Sequence, residues 1–276
     1  MIVNYFANLG FFVPELIVIG TMLAVLFLEA SYKPEEKERG FVFGIAFIGL
    51  ILAFFTLLTN LSEKPIAIFT NAVVIDQFST FAKIIMVLGT LGSIYLSSQS
   101  KEIYDEFKSE FTVMSIGVLV GGMLLASANN MLTLYLGVET LSILSYVLAS
   151  LRKNDDRSSE AGLKYSLYGG IAAGLMLFGM SHIFGVLGTI QFEEIMPKLQ
   201  NLSTLQLSIL IPSFLLFFVG IGYKIACVPF HMWAPDVYEG SPIPVTTFFS
   251  IVPKVAGITA LVRVTMVFFE QKGLLQ

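Results

Sequence analysis

Cysteine is nearly missing: Cys227 is the only one among 276 residues. No disulfide can close within the chain, and thiol usage leaves the redox compartment open. Charge is scarce as well. Asp, Glu, Lys and Arg make up 13% of the residues, where an ordinary soluble domain carries about 25%. Histidine occurs twice, at His182 and His231, on different apolar segments and with no carboxylate or thiolate cluster beside either. A haem or metal site is therefore unsupported. No strand is evident, so no glycine-rich phosphate loop has a strand to follow. Low-complexity tracts and a soluble domain are missing too. The N-terminus lacks a basic region ahead of its first apolar run, so Phe11–Ala30 reads as a retained helix and not as a cleaved signal.

What is present is apolar. Hydrophobic residues make up 55% of the chain, Phe alone occurs 25 times, and the mean hydropathy is +0.81. Repeated apolar runs of about 18 residues or more mark an all-α polytopic membrane protein. Eight spans are expected, at 11–30, 41–59, 78–98, 111–128, 131–150, 161–187, 207–230 and 243–269. At 1.5 Å per residue each can cross a hydrocarbon core of about 30 Å. Asn129–Asn130 joins the fourth and fifth as a tight helical hairpin.

Basic residues set the expected orientation. The loops after the first, third, fifth and seventh spans hold Lys33, Lys37, Arg39, Lys101, Lys108, Arg152, Lys153 and Arg157. Those on the other side hold Lys64, Lys198 and Lys272. The N-terminus is therefore expected outside, with the basic loops on the cytoplasmic, matrix or stromal side.

The stretch Gly220–Arg263 departs from simple spans. Leu207 to Tyr238 is long for one straight helix, and a discontinuous seventh helix broken near Ala226–Pro229 fits better. Pro229 and Pro253 each remove a backbone donor, and each is expected at a helix break beside a lysine.

Charges inside the spans are functional candidates by default. Glu139 is the only acid well inside a span, on a face shared with Tyr135, Ser142 and Tyr146. It reads as an ion-path carboxylate or as a lock between two helices. Lys224 is its best candidate partner, since opposite charges within about 4–6 Å hold each other ionised. Lys254 lies too deep to snorkel, on a stripe with Thr247 and Ser250. Lys164, one turn inside the sixth span, reads equally as a relay or as a snorkelling side chain. Arg263 and Lys83 read as interfacial anchors. His182 reads as a hydrogen-bonded core residue, and His231, just past the break, as a possible proton relay. Trp233, Asp236 and Glu239 take a default capping and interface-anchoring role.

Three stretches carry more than physics: LYLGVETLSILSYVLAS (134–150), SSEAGLKYSLYGGIAAGLMLFGMSHIFGVLGT (158–189) and GYKIACVPFHMWAPDVYEGSPIPVTTFFSIVPKVA (222–256). Together they resemble the antiporter-like membrane subunits of proton-pumping NADH:quinone oxidoreductase, respiratory complex I. VPFHMWAPDVYEGSP is similar to the subunit N branch of that family.

The resemblance implies roles residue by residue. Glu139 falls on the family's fifth-helix glutamate, and Lys224 on the lysine that pairs with it beside the helix break. Lys254 falls on the central lysine of the eighth helix, and Lys164 on a sixth-helix lysine between pair and channel. His231 matches a family histidine. It also implies a three-helix segment at 1–110 and one five-helix antiporter-like repeat at 111–276. The family's second repeat is absent from these residues, so a proton leaving Lys254 needs groups beyond them. The implied function is redox-coupled proton translocation in the respiratory chain. Partners would be other membrane-arm subunits, including the antiporter-like sisters, with lipid and protons and no nucleic acid. No cofactor is expected in this chain, because NADH, FMN, iron–sulfur clusters and quinone are held by other subunits. A bacterial inner membrane is the implied location. Alternatives are a subunit of a related cation/proton antiporter or membrane-bound hydrogenase, and a purely structural membrane-arm subunit.

Overall fold

Capping side chains and apolar length together decide where the helices lie. The computed structural model describes residues 9–31, 36–62, 65–200 and 202–269. Three of the loop lysines, Lys33, Lys64 and Lys272, lie outside them. Ten α-helices occur among the described residues: α1 Val13–Ser31, α2 Glu36–Thr59, α3 Gln77–Gln99, α4 Lys108–Ala126, α5 Met131–Ala149, α6 Asp156–Leu187, α7 Phe192–Leu199, α8 Thr204–Ile225, α9 Ala234–Gly240 and α10 Ile243–Phe269. Eight of the helical segments are long and apolar enough to cross a membrane; the two short ones, α7 and α9, are not. The chain is an integral membrane protein.

Helix starts follow local chemistry. Asp76 caps α3, accepting from Ser79 N while Ser79 Oγ accepts from Asp76 N. Asn130 caps α5, Asp155 caps α6, and Ser203 with Gln206 forms the same reciprocal box on α8. Each satisfies amide donors that a membrane interior would leave unpaired.

Helix α4 is the hub. It packs against α1, α3, α5 and α10, and Phe111, Ile116, Leu119 and Met123 on it are fully buried. Lipid tails are as apolar as leucine, so such helices associate through close backbone approach. Gly121 on α4 and Gly137 on α5 supply it. A Cβ on Gly121 would lie 2.6 Å from Leu141 N, and one on Gly137 would lie 2.8 Å from Leu125 N. Helix α6 packs on α8 and α9 at the far side, and α10 closes against α3, α4 and α8.

A small hairpin departs from the all-helical expectation. Strands β1 (Ile66–Ile68) and β2 (Val73–Ile75) pair antiparallel, Ile66 opposite Ile75. Three-residue strands give too short an alternation to read against flanking apolar helices. Val74 N donates to Ser127 O and Asn129 N to Ala72 O, so the hairpin is sewn to the α4–α5 turn.

Two basic residues expected as interfacial anchors pair with carboxylates instead, Lys83 buried and Arg263 half-buried. Lys83 on α3 is 1% exposed and lies 2.5 Å from Glu15 on α1. Arg263 on α10 holds both oxygens of Asp76, at 3.1 and 3.0 Å, and donates from Nε to Ala126 O. Their acids, Glu15 and Asp76, stand near helix starts, so they do not look like intramembrane charges from sequence.

Two outcomes follow for stability. Lys83→Met leaves the Glu15 carboxylate buried and unpaired, at a cost of about 3–5 kcal/mol. Adding Glu15→Gln recovers most of that loss, as read by denaturant unfolding in detergent. Gly121→Val forces α4 and α5 apart and costs about 1–3 kcal/mol in the same assay.

Candidate functional site

The site grows from the way α8 ends. Ala226 adopts a left-handed backbone, φ 54°. Its amide donates to Tyr223 O, and Cys227 N reaches back to Gly222 O. That pair of bonds is a Schellman closure, here built on alanine where glycine is usual. Residues 227–233 then run as a turn to α9. The break falls where the sequence placed it, with the closure at Ala226 and Pro229 exposed in the turn beyond. Pro253 does not interrupt its helix. Helix α10 runs on through it, giving up one donor and keeping its course.

Lys224 is the second-last residue of α8 and is 2% exposed. Its Nζ is buried with no hydrogen-bond partner among the described residues. Aromatic rings stand around it instead. The centroids of Tyr165, Tyr146 and Tyr223 lie 5.5, 5.8 and 6.0 Å from Nζ. Such faces attract a cation, by about 0.5–1 kcal/mol at exposed sites and about 2 kcal/mol or more where water is excluded.

Glu139 and Lys254 are the charges that act on Lys224, one opposite and one like. Glu139 Oε1 is likewise buried without a hydrogen-bond partner among the described residues. Tyr135, one turn earlier on α5, lies against the same carboxylate. Glu139 and Lys224 are thus charge neighbours and not a hydrogen-bonded pair.

Lys254, half-buried on α10, stands over Trp233 at 5.0 Å and over Tyr238 at 5.9 Å. Trp233 connects the two lysine environments. It stacks on Tyr165 (4.4 Å between centroids, 14° between planes) and lies 5.1 Å from Tyr223. Its Nε1 donates to Tyr223 O, and Tyr223 Oη donates to Tyr165 O. Trp233 is 2% exposed. It is a wall of the site, where sequence position suggested an interface anchor.

Lys164 is placed elsewhere. It is about one-third exposed and sits between Glu160 (2.6 Å) and Asp236 (2.5 Å). It links α6 to α9, and Asp236 is its partner and not a cap. His231 lies half-buried in the turn, Nδ1 without a hydrogen-bond partner among the described residues. His182 is half-buried on α6, its Nδ1 3.0 Å from Phe178 O.

The structure therefore gathers Glu139, Lys224 and Lys254 in one neighbourhood and leaves Lys164 on the α6–α9 contact. Sequence reasoning missed Tyr165, Tyr223 and Trp233. One signal was available: Tyr165 and Tyr223 directly follow and precede candidate lysines.

Residues 128–275 match the transmembrane family of NADH:quinone oxidoreductase and the Mrp antiporter. The chain is 38% identical over 261 residues to NADH-quinone oxidoreductase subunit N of Geobacillus sp. (strain WCH70), covering 94% of this chain and 53% of that protein. A chain of respiratory complex I from Thermus thermophilus, solved with bound aureothin, is 30% identical. It superposes with a TM-score of 0.77 over 91% of this chain and 53% of its own length. A chain of the membrane-bound sulfane sulfur reductase, an archaeal respiratory membrane complex, shares the fold, with a TM-score of 0.81 at 19% identity over 95% of this chain and 54% of its own. The chain spans about half the length of the relatives it matches. With the family match covering more than half of its residues, this chain belongs to the NADH:quinone oxidoreductase/Mrp antiporter transmembrane family.

Proposed function

We propose that the chain is an antiporter-like subunit of the membrane arm of an NADH:quinone oxidoreductase, moving protons without a redox centre of its own. Residues 111–276 act as one five-helix repeat carried on the three-helix segment 1–110. The membrane is the bacterial inner membrane, with the N-terminus outside. Identity to relatives named subunit N supports this reading over a cation antiporter. The observation that carries the mechanism is Lys224: an amine buried among aromatic rings, with no hydrogen-bond acceptor among the described residues and with Glu139 as its opposing charge.

Such a site responds to small displacements. An ammonium in a dry pocket is held there by its counter-charge. When a neighbouring subunit moves Glu139 away, the field that favours the charged form weakens and Lys224 sheds its proton. Lys254, across Trp233, is the receiving amine. While Lys224 is charged it repels charge on Lys254, so the two load in alternation. The scale is adequate. A hundredfold change in proton affinity is about 2.7 kcal/mol, and one charge crossing 100 mV costs about 2.3 kcal/mol. In this scheme Lys164 holds α9 to α6 through Asp236 and so braces the turn that carries His231 and Trp233.

Glu139→Gln and Lys224→Ala, each in the assembled complex, should remove this subunit's share of the protons moved per electron, one unit of coupling between the pair being about tenfold in the proton affinity of the group that remains. Vesicle acidification measured against NADH oxidation reads this. Normal stoichiometry at normal assembly would leave a structural membrane-arm role. Sodium-dependent proton exchange in place of redox-driven pumping would indicate a cation antiporter.

A further inference from the structure

Helices α3 and α10 pack together and run antiparallel, and three contacts along their length lie in register. At one end Asp76, which caps α3, holds Arg263 of α10 with both carboxylate oxygens. Near the middle Gly89 meets Ile251: a Cβ on Gly89 would lie 2.6 Å from Ile251 Cγ2. At the other end Glu102, just past the end of α3, accepts from Ile243 N at 2.6 Å. Ile243 is the first residue of α10. From Ile243 to Arg263 is about 30 Å of helix, the thickness of a hydrocarbon core. The two end contacts therefore belong to opposite water boundaries.

The contact at Glu102 replaces a cap that α10 lacks locally. Pro242 and Pro244 have no amide hydrogen, and the first helical bond runs from Thr246 N to Pro242 O. Ile243 and Val245 are the first-turn donors that the helix leaves over. Ser241 stands beside them, but its Oγ is buried without a hydrogen-bond partner among the described residues. The acceptor comes instead from a loop 141 residues earlier in the chain. That loop is well held: Glu102 N donates to Ser100 Oγ at 3.1 Å, and Ile103 is buried. Helix α3 is itself fastened to α1, by Lys83 on Glu15.

Helix α10 has one weak point. Pro253 cannot donate to Phe249 O, so the helix is least constrained just before Lys254. The Glu102 contact holds the half ahead of the proline, and the Arg263 contact holds the half after it. Both halves are thus tied to one helix, and α10 keeps its course. Trp233 and α9 join the chain to the half ahead of the proline. A swing of that half about Pro253 would carry Trp233 away from Lys254, which stands over its ring.

We propose that α3 is a splint for α10, and that Glu102 is the positioning residue that keeps Lys254 seated on Trp233 across Pro253. The proposal rests on the proton-translocating reading above and gives the three-helix segment a role in it. Glu102 carries no proton along the path. It acts through the backbone of α10, and releasing Ile243 N frees the half of the helix ahead of the proline.

The test uses the assembled complex in membrane vesicles, with Lys254→Ala as reference. Glu102→Ala should assemble, oxidise NADH and lose the share of protons per electron that Lys254→Ala loses, since a misplacement of roughly 1 Å costs about a hundredfold in rate. Where Glu102→Ala assembles poorly, Glu102→Asp takes its place, drawing the carboxylate back by one methylene. Glu102→Gln keeps an acceptor oxygen and should pump in full. Glu102→Cys with Ile243→Cys, in a Cys227→Ser background, replaces the hydrogen bond by a tether. Both positions are exposed to reagent. Bridged by a two-carbon bis-methanethiosulfonate, this pair should pump in full; after reduction it should pump no better than Glu102→Ala. Equal pumping by the bridged and reduced pair would overturn the splint. So would full pumping by Glu102→Ala with Lys254→Ala impaired, and the proposed function would still stand. Full pumping by Lys254→Ala would remove the function as well.

Discussion

A protonated lysine can donate three hydrogen bonds, and Lys224 Nζ donates none within the described residues. The rest of the site depends on that deficit. Burying a polar group without a partner is expensive unless its surroundings compensate. Here the compensation is diffuse: three tyrosine faces and a carboxylate that acts through space. Diffuse compensation holds a charge without fixing it. A hydrogen-bonded pair would bind the proton more firmly and need a larger push to release it.

The contrast with the directly paired cations is informative. Lys83 and Arg263 meet their carboxylates directly, at 2.5 and 3.0 Å. Both pairs join helices, α1 to α3 and α10 to α3. They are fastenings whose geometry leaves little to change. Lys224 and Lys254 have aromatic walls where those two have carboxylates. One bundle thus keeps two kinds of buried charge, fixed by direct contact or left responsive by its lack.

Much of this was legible in sequence. Apolar length gave the eight spans to within about six residues, with the largest differences at the starts of the fourth and sixth and the end of the seventh. Glu139, Lys224 and Lys254 stood out because charge is rare in such a chain and each interrupts an apolar run. What could not be read was pairing. Glu15 and Asp76 lie at helix starts, where an acid is ordinary, so Lys83 and Arg263 lacked visible partners. Trp233 lies in a short polar stretch, where tryptophan usually marks the interface. Its burial comes from the turn after Ala226 folding back onto α6, a tertiary event without a local signature. The hairpin was hidden because its strands are three residues long.

Helix α6 has 32 residues and is therefore about 48 Å long. A hydrocarbon layer of about 30 Å cannot contain it upright. Either the helix leans steeply or several turns project beyond the lipid, and its partners suggest where. Its first turns carry Arg157, Glu160 and Lys164 together with the α9 contact, a surface too polar for acyl chains. A projecting α6 start would act as a mast at the water boundary. It would hold the α9 turn at a set height and locally thin the barrier between solvent and the buried amines. The electric field across a membrane falls mainly where the medium is dry. A shorter dry segment on that side would move most of the voltage drop to the far side of Lys224.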